Sequence, residues 1–275
     1  TEQCNDKSNS IDQLNTLSLV ELFCEEDKKP QIAVSQSIQQ IALAIESIAK
    51  AIKNGGRMFY IGAGTSGRLG ALDAAECPPT FCTDPDMVQS IIAGGKEALL
   101  KSSEDLEDQV YLGVNDLKEH GFRSSDCLIG ITAGGTTPYV HSALFFAKEL
   151  GSLTIAISCV PKEQAALPCD IDIRLITGPE LLTGSTRLKA GTATKMALNI
   201  ISTSVMIKLG KIYGNKMIDV SAKNNKLLDR SLRIITQLTS LDRQKAYVLL
   251  EKSNGSVKTA LLMAASGMSA LDATK

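Results

Sequence analysis

Five short apolar runs set the strongest limit on how this chain can fold. They are Arg57-Met58-Phe59-Tyr60-Ile61-Gly62, Ser90-Ile91-Ile92-Ala93-Gly94-Gly95, Asp126 to Thr132, Leu153 to Cys159 and Ile171 to Ile176. Stretches of helical character separate most of them, for example 96–119 and 138–150. Strands that alternate with helices become parallel neighbours joined by right-handed crossovers. Runs that are apolar throughout, not at every second residue, suit a sheet covered on both faces. The expected fold is α/β, a three-layer α/β/α sandwich around a five-stranded parallel sheet.

Helical patterns flank these runs. From Ile11, with Asp12 and Thr16 as candidate caps, an apolar stripe begins at Leu17, Val20 and Leu22. Residues 31–53 read as one amphipathic helix, with Ile38, Ile41, Ile45, Ile48 and Ile52 at alternating three- and four-residue steps. It closes on Asn54-Gly55-Gly56, a helix-stop signal. Residues 187–213 form a long helical stretch, followed by patterns at 223–239 and 242–251. A small three-helix motif is expected over 241–275, with Asn254-Gly255 as a turn. The expected division is an N-terminal helical segment (1–53), an α/β domain (54–222) and a C-terminal helical domain (223–275). Residues 1–10 are polar and read as mobile, resembling neither a signal peptide nor an anchor.

Charge and cysteine usage narrow the function classes. Lys and Arg number 29 against 30 Asp and Glu, and Trp is absent. A nucleic-acid binder would show a basic excess and aromatic stacking platforms, so none is expected as partner. No apolar run approaches the roughly 20 residues that span a bilayer, so no membrane is expected either. The seven cysteines are odd in number and irregular in spacing, with no C-x-x-C pair. That favours reduced thiols and a cytoplasmic location. His120 and His141 are the only histidines and lack ligand spacing. Neither a metal nor a cofactor is expected.

The segment that follows the first run carries the sharpest chemical signal. Gly62-Ala63-Gly64-Thr65-Ser66-Gly67-Arg68 joins a strand to a helix. Glycines let the backbone approach a ligand, and N–H groups at a helix start attract anions. Thr65 and Ser66 add hydroxyls, and Arg68 adds charge. A sugar phosphate is the favoured ligand. The pattern also fits the dinucleotide signature G-x-G-x-x-G, but the second strand ends in Gly94-Gly95 where that fold wants an acidic residue for the ribose. A tight turn with no ligand is the third reading.

A second loop, Thr132-Ala133-Gly134-Gly135-Thr136-Thr137-Pro138, follows the third strand in the same way. Both loops belong at the carboxyl edge of the sheet, where open α/β folds bind ligands. A third segment, Gly184-Ser185-Thr186-Arg187-Leu188-Lys189, opens the long helix, with Ser185 or Thr186 as the natural N-cap. Arg187 and Lys189 oppose the helix dipole there unless they face an anion.

Two carboxylates draw attention as acid–base candidates. Glu76 precedes Pro78-Pro79, which should stop its helix nearby. A carboxylate at a helix C-terminus holds its proton more tightly, as a general acid needs. A solvated surface Glu is the plain alternative. Glu107 lies in the acidic patch Glu104-Asp105-Leu106-Glu107-Asp108, and nothing local singles it out. No nucleophile elbow is present, and Cys77 and Cys82 lack a nearby His.

These motifs resemble those of the N-acetylmuramic acid 6-phosphate etherases. The likeness lies in Ile61 to Gly70, Glu76 to Phe81, Ile92 to Gly95, Leu182 to Thr192 and Tyr213-Gly214-Asn215, and runs from about Ile11 to the end. The core is similar to a sugar isomerase (SIS) domain, here 54–222, and the tail to the family's small helical domain. The glucokinase regulatory protein shares the motifs in a longer chain with two such domains.

The resemblance implies that water and N-acetylmuramate 6-phosphate give N-acetylglucosamine 6-phosphate and D-lactate, by elimination and readdition without metal. It implies Glu76 as the acid for departing lactate and Glu107 as the group handling the C2 proton. The substrate-binding set it implies is Gly64, Thr65, Ser66, Gly67, Arg68, Thr132, Gly135, Thr136, Thr137, Ser185 and Lys189. A homodimer is implied as well. The acidic patch around Glu107 departs mildly from the family's usual Glu-Gly-Ala-Glu-Asp, and one departure matters more: the family's second loop usually reads Ala-Ser-Gly-Arg-Thr-Pro, and here a serine and an arginine are missing. Thr132, Thr136 or Thr137 would supply the hydroxyl. That departure keeps two other readings open, a sugar-phosphate sensor without turnover and an aldose–ketose isomerase of the same fold.

Overall fold

All five apolar runs are strands. The computed structural model describes residues 3–101, 106–219 and 225–274. Strands β1 (Met58–Gly62), β2 (Val88–Ile92), β3 (Cys127–Ile131), β4 (Leu153–Ser158) and β5 (Ile171–Arg174) form one parallel sheet in the order β2-β1-β3-β4-β5. Every residue of β1 and β3 is buried, as central strands covered on both faces require.

The two faces are covered by different helices. On one face α6 (Pro138–Glu149) packs Tyr139, Val140, Ala143 and Leu144 against Phe59, Ile61 and Leu128. A Cβ on Gly130 would lie 2.8 Å from Leu144 Cγ, so the strand is pared down to admit that leucine. On the other face α4 (Gly64–Phe81) brings Gly70 onto Tyr60, where a Cβ would meet the ring-bearing carbon at 2.8 Å. Phe59 and Tyr60 therefore point to opposite layers, as the two-residue period of a strand demands. The three-layer α/β/α expectation holds.

The remaining helices are α1 (Thr16–Glu26), α2 (Lys29–Gln36), α3 (Ile38–Lys53), α5 (Val110–Glu119) and α7 (Lys189–Lys208), then α8 (Asn225–Thr239), α9 (Arg243–Lys252), α10 (Val257–Ser266) and α11 (Ala270–Thr274). The chain divides into two compact units, one of residues 1–75 and 86–205, the other of 76–85 and 206–275. In the second unit Leu232, Ile235, Ala246, Leu250, Val257 and Ala260 bring α8, α9 and α10 around a core of their own. Asp242 and Ser256 cap α9 and α10 by accepting N–H bonds from Lys245 and Thr259. Asn254 and Gly255, both with positive φ, make the expected turn between them. A short hairpin, β6 (Ile212–Tyr213) with β7 (Lys216–Met217), was not legible in the sequence. Among the described residues no helix is long and apolar enough to cross a membrane.

Three expectations change. Residues 31–53 are two helices, because Ser37 leaves the helical path and its hydroxyl donates to the Arg174 carbonyl at 2.6 Å. The stretch 96–119 is a 3₁₀ turn (Gly95–Leu99) and α5, and residues 102–105 of it lie outside the described residues, as do 220–224 and the first two. Residues 3–10 are anchored at Asn5, which is buried and whose amide donates to Glu26 and to the Pro179 carbonyl. As expected, α4 stops near Pro78-Pro79, passing through both to Phe81 and ending at Cys82, whose φ is 50°. Prolines in the last turn remove only the donors for the Ala74 and Ala75 carbonyls.

Candidate functional site

The strand order places the first two loops side by side. From β1 the chain goes first to β2 on one side, then crosses to β3 on the other. The sheet's topological switch point therefore lies between β1 and β3, and ligands of open α/β sheets bind at that crevice. Gly62 pairs with Ile131 in register, so the loops leaving β1 and β3 start level with each other.

Glycine at the first loop is demanded by backbone proximity. A Cβ on Gly62 would lie 2.8 Å from the Gly67 nitrogen and 3.1 Å from the Ile131 oxygen. One on Gly67 would lie 2.6 Å from Ile92 Cγ1. Gly64 has a φ of 52° and open space beside it. The N–H groups of Thr65 and Ser66, at the first turn of α4, meet no acceptor among the described residues. A helix start with open donors and half-buried hydroxyls is suited to a phosphate. Arg68 is half-buried, and its guanidinium donates to the Ala98 and Lys101 carbonyls at 3.0 and 3.1 Å. It thereby ties the 3₁₀ turn after β2 to the first loop.

At the second loop the Thr132 and Thr137 hydroxyls bond to each other at 2.9 Å, and Thr132 is buried. Thr137 is the N-cap residue of α6. Gly135 turns with a φ of 72°, and a Cβ there would lie 2.8 Å from Ala165. Thr136 is exposed beside it.

The third segment meets the first at Gly191. Its N–H donates to the Thr186 carbonyl at 2.8 Å, and a Cβ on it would lie 3.6 Å from the Thr65 methyl. The structure thus brings Thr65 beside Gly191 and the Thr186 carbonyl that holds it. Ser185 and Thr186 are not the cap that was expected. The buried Glu180 carboxylate accepts the Lys189 and Ala190 N–H groups at 3.0 and 2.9 Å, and α7 starts there. A cap supplied from nine residues upstream carries no local signature.

Lys189 is the second departure. Its ammonium is buried and lies 2.5 Å from Glu26, which also receives Lys29 at 2.8 Å and Asn5 at 3.0 Å. Burial alone would raise the Glu26 carboxyl, but the bonds from Lys189, Lys29 and Asn5 outweigh it and hold the group at about 2. Lys189 thus faces an anion, as a cation at a helix start must, and the anion is the protein's own. Asp73 is a third buried acid that the sequence did not reveal. Burial raises it, against hydrogen bonds from the Tyr60 and Ser202 hydroxyls.

Comparison with known proteins decides the family. The chain is 64% identical over 275 residues to the N-acetylmuramic acid 6-phosphate etherase of Prochlorococcus marinus strain MIT 9303, covering all of this chain and 87% of that protein. It is 60% identical over 270 residues to the protein of that name from Microcystis aeruginosa, covering 98% of this chain and 88% of that one. This chain belongs to the N-acetylmuramic acid 6-phosphate etherase family. The family description "Glucokinase regulatory protein N-terminal SIS domain" matches residues 40–148. A phosphoheptose isomerase from Neisseria gonorrhoeae shares the fold, with a TM-score of 0.51 and 18% identity over 68% of this chain and 96% of that one.

The two carboxylates of the etherase reading sit on different elements. Glu76 is exposed on α4, well before the helix ends at Phe81, so the argument from the helix dipole no longer applies to it. Glu107 is exposed in the turn before α5, and its carbonyl accepts the Tyr139 N–H at 3.1 Å. Among the described residues no three His, Cys, Asp or Glu side chains cluster as a metal site.

Proposed function

We propose that this chain performs the reaction of its etherase family with Glu76 and Glu107 as acid and base. It is a carbon–oxygen lyase that cleaves the D-lactyl ether of N-acetylmuramate 6-phosphate. The near full-length identity to etherases carries the reading. The open helix start at Thr65 and Ser66 supports a phosphate there, with Gly64 and Gly67 keeping the backbone close. The hydroxyls of Thr136, Thr137 and Ser185 are then available to the sugar, while the buried Thr132 hydroxyl backs Thr137 instead of facing a ligand.

The chemistry follows from the substrate. In the ring-opened sugar the C1 aldehyde acidifies the C2 proton. Glu107 takes that proton, the C3–O bond breaks, and Glu76 protonates the departing lactate oxygen. The intermediate is an enal with a C2–C3 double bond. Water adds its oxygen at C3, and a proton returns to C2. Each positioned acid or base contributes typically about 10²–10⁴-fold. The enzyme is read as a cytoplasmic homodimer. The cytoplasmic part is supported by seven cysteines without a disulfide. The dimer rests on likeness to other SIS proteins, and sedimentation tests it.

The reaction in deuterated water tests the route. N-acetylglucosamine 6-phosphate should carry one deuterium at C2, and Glu107→Ala should abolish its formation. Product with protium at C2 and, in ¹⁸O-labelled water, no label at C3 would rule out the elimination and readdition.

A further inference from the structure

Glu107 lies in an exposed turn, and a carboxylate that must reach one C–H bond needs a fixed backbone. The residue that fixes it lies on another helix. Tyr139 stands in the first turn of α6, so its N–H is one of the donors that a helix start leaves without an intrahelical partner. That N–H donates to the Glu107 carbonyl at 3.1 Å. At its other end the phenol donates to Asp116 on α5 at 2.5 Å.

Tyr139 is fully buried, and burial together with Asp116 keeps the phenol protonated as a donor. Helix α5 follows the Glu107 turn directly, and it rides on Tyr139 at Gly113. A Cβ there would lie 2.2 Å from the Tyr139 carbonyl oxygen and 2.9 Å from the Ser142 hydroxyl. The Glu107 turn is therefore gripped twice by one residue, through its own carbonyl and through the helix it feeds.

We infer that Tyr139 is a positioning residue for Glu107, holding the turn that carries the C2-proton carboxylate against the start of α6. The inference rests on the role proposed for Glu107. It also joins that carboxylate to the second loop. Thr137, two residues before Tyr139, holds the N-cap position of the same helix, and its hydroxyl bonds Thr132. Sugar held by this loop and the group that takes its proton are referenced to one turn of backbone.

Tyr139→Phe keeps the ring and removes the phenol. It should lower kcat for lactate release roughly ten- to a hundredfold, the scale of a small misplacement of a catalytic group. KM should stay within about twofold, since no substrate contact is lost. Substrate deuterated at C2 should show a larger isotope effect on kcat than with the parent, because proton removal becomes the slower step. Asp116→Asn, which keeps an acceptor, should retain more of kcat than Asp116→Ala. Gly113→Ala, which forces α5 off Tyr139, should act in the same direction as Tyr139→Phe.

A lower melting temperature for Tyr139→Phe with unchanged kcat and isotope effect would overturn the inference, since that is all a packing role predicts. A rise in KM alone would overturn it too, by assigning Tyr139 to the binding loop. Glu107→Ala is run in parallel. If that variant still releases lactate, the role of Glu107 fails first and is recognised as the cause.

Discussion

Two helix starts in the α/β unit carry similar sequences and are filled differently. Gly64-Thr65-Ser66-Gly67-Arg68 and Gly184-Ser185-Thr186-Arg187-Leu188-Lys189 both combine glycine, hydroxyls and cations. At α7 the N–H donors are taken by Glu180 and the cation by Glu26, both buried carboxylates of the chain itself. At α4 the donors of Thr65 and Ser66 meet no acceptor among the described residues. A closed start contributes stability, whereas an open one is suited to an incoming anion. The motif alone does not distinguish them; what distinguishes them is whether the fold brings a carboxylate to the helix end.

The largest expected effect lies at the closed start. Glu26→Ala leaves a buried ammonium without its partner and should destabilise the fold by roughly 3–5 kcal/mol, read from denaturant midpoints. Glu26→Gln with Lys189→Met should recover most of that, because a neutral pair of similar volume avoids the buried charge. If the double variant regains stability yet no longer binds sugar phosphate, Lys189 contacts the ligand and the two starts are alike after all.

Acid should open the same site. The Glu26 carboxyl is held at about 2, below its ordinary 4.5, so its contribution is fully present above pH 4.5 and is lost as pH falls toward 2. The shift corresponds to about 3 kcal/mol. Melting temperatures measured from pH 6 down to pH 2 should fall across that window, and Glu26→Gln should flatten the curve. An equally steep fall in the variant would place the acid-sensitive group elsewhere.

The smallest effect on stability belongs to the open start. Ser66→Ala should leave the melting temperature nearly unchanged, within about 0.5 kcal/mol. It should still raise KM for the sugar phosphate roughly tenfold, the scale of a lost hydrogen bond to a charged group. A stability loss without a change in KM would mean that this hydroxyl serves the fold, as Glu180 does at α7.

The strands were legible because continuous apolar runs between helices have few other readings. Tertiary partners were not. Ser37 looks like any polar residue on a helix, and the carbonyl that draws it out of line is 137 residues away. The sequence argued that Lys189 must face an anion, and it does. Nothing local could show that the anion was Glu26, 163 residues distant in the chain. Pro78-Pro79 signalled a stop, and α4 ends two residues later at Phe81. At the candidate site the loops could be read from glycine and hydroxyl spacing, since their conformations are local. Glu76 and Glu107 could not be singled out that way and came from family resemblance, because an exposed Glu has the same local pattern whether or not it meets a substrate.

The most direct test of the account is D-lactate release from N-acetylmuramate 6-phosphate by the parent chain, Glu76→Ala and Glu107→Ala. The account predicts release by the parent and a loss of at least about 10²-fold in each variant, with folding intact. A parent that binds the sugar phosphate and releases no lactate would contradict it and leave a sensor in place of an enzyme.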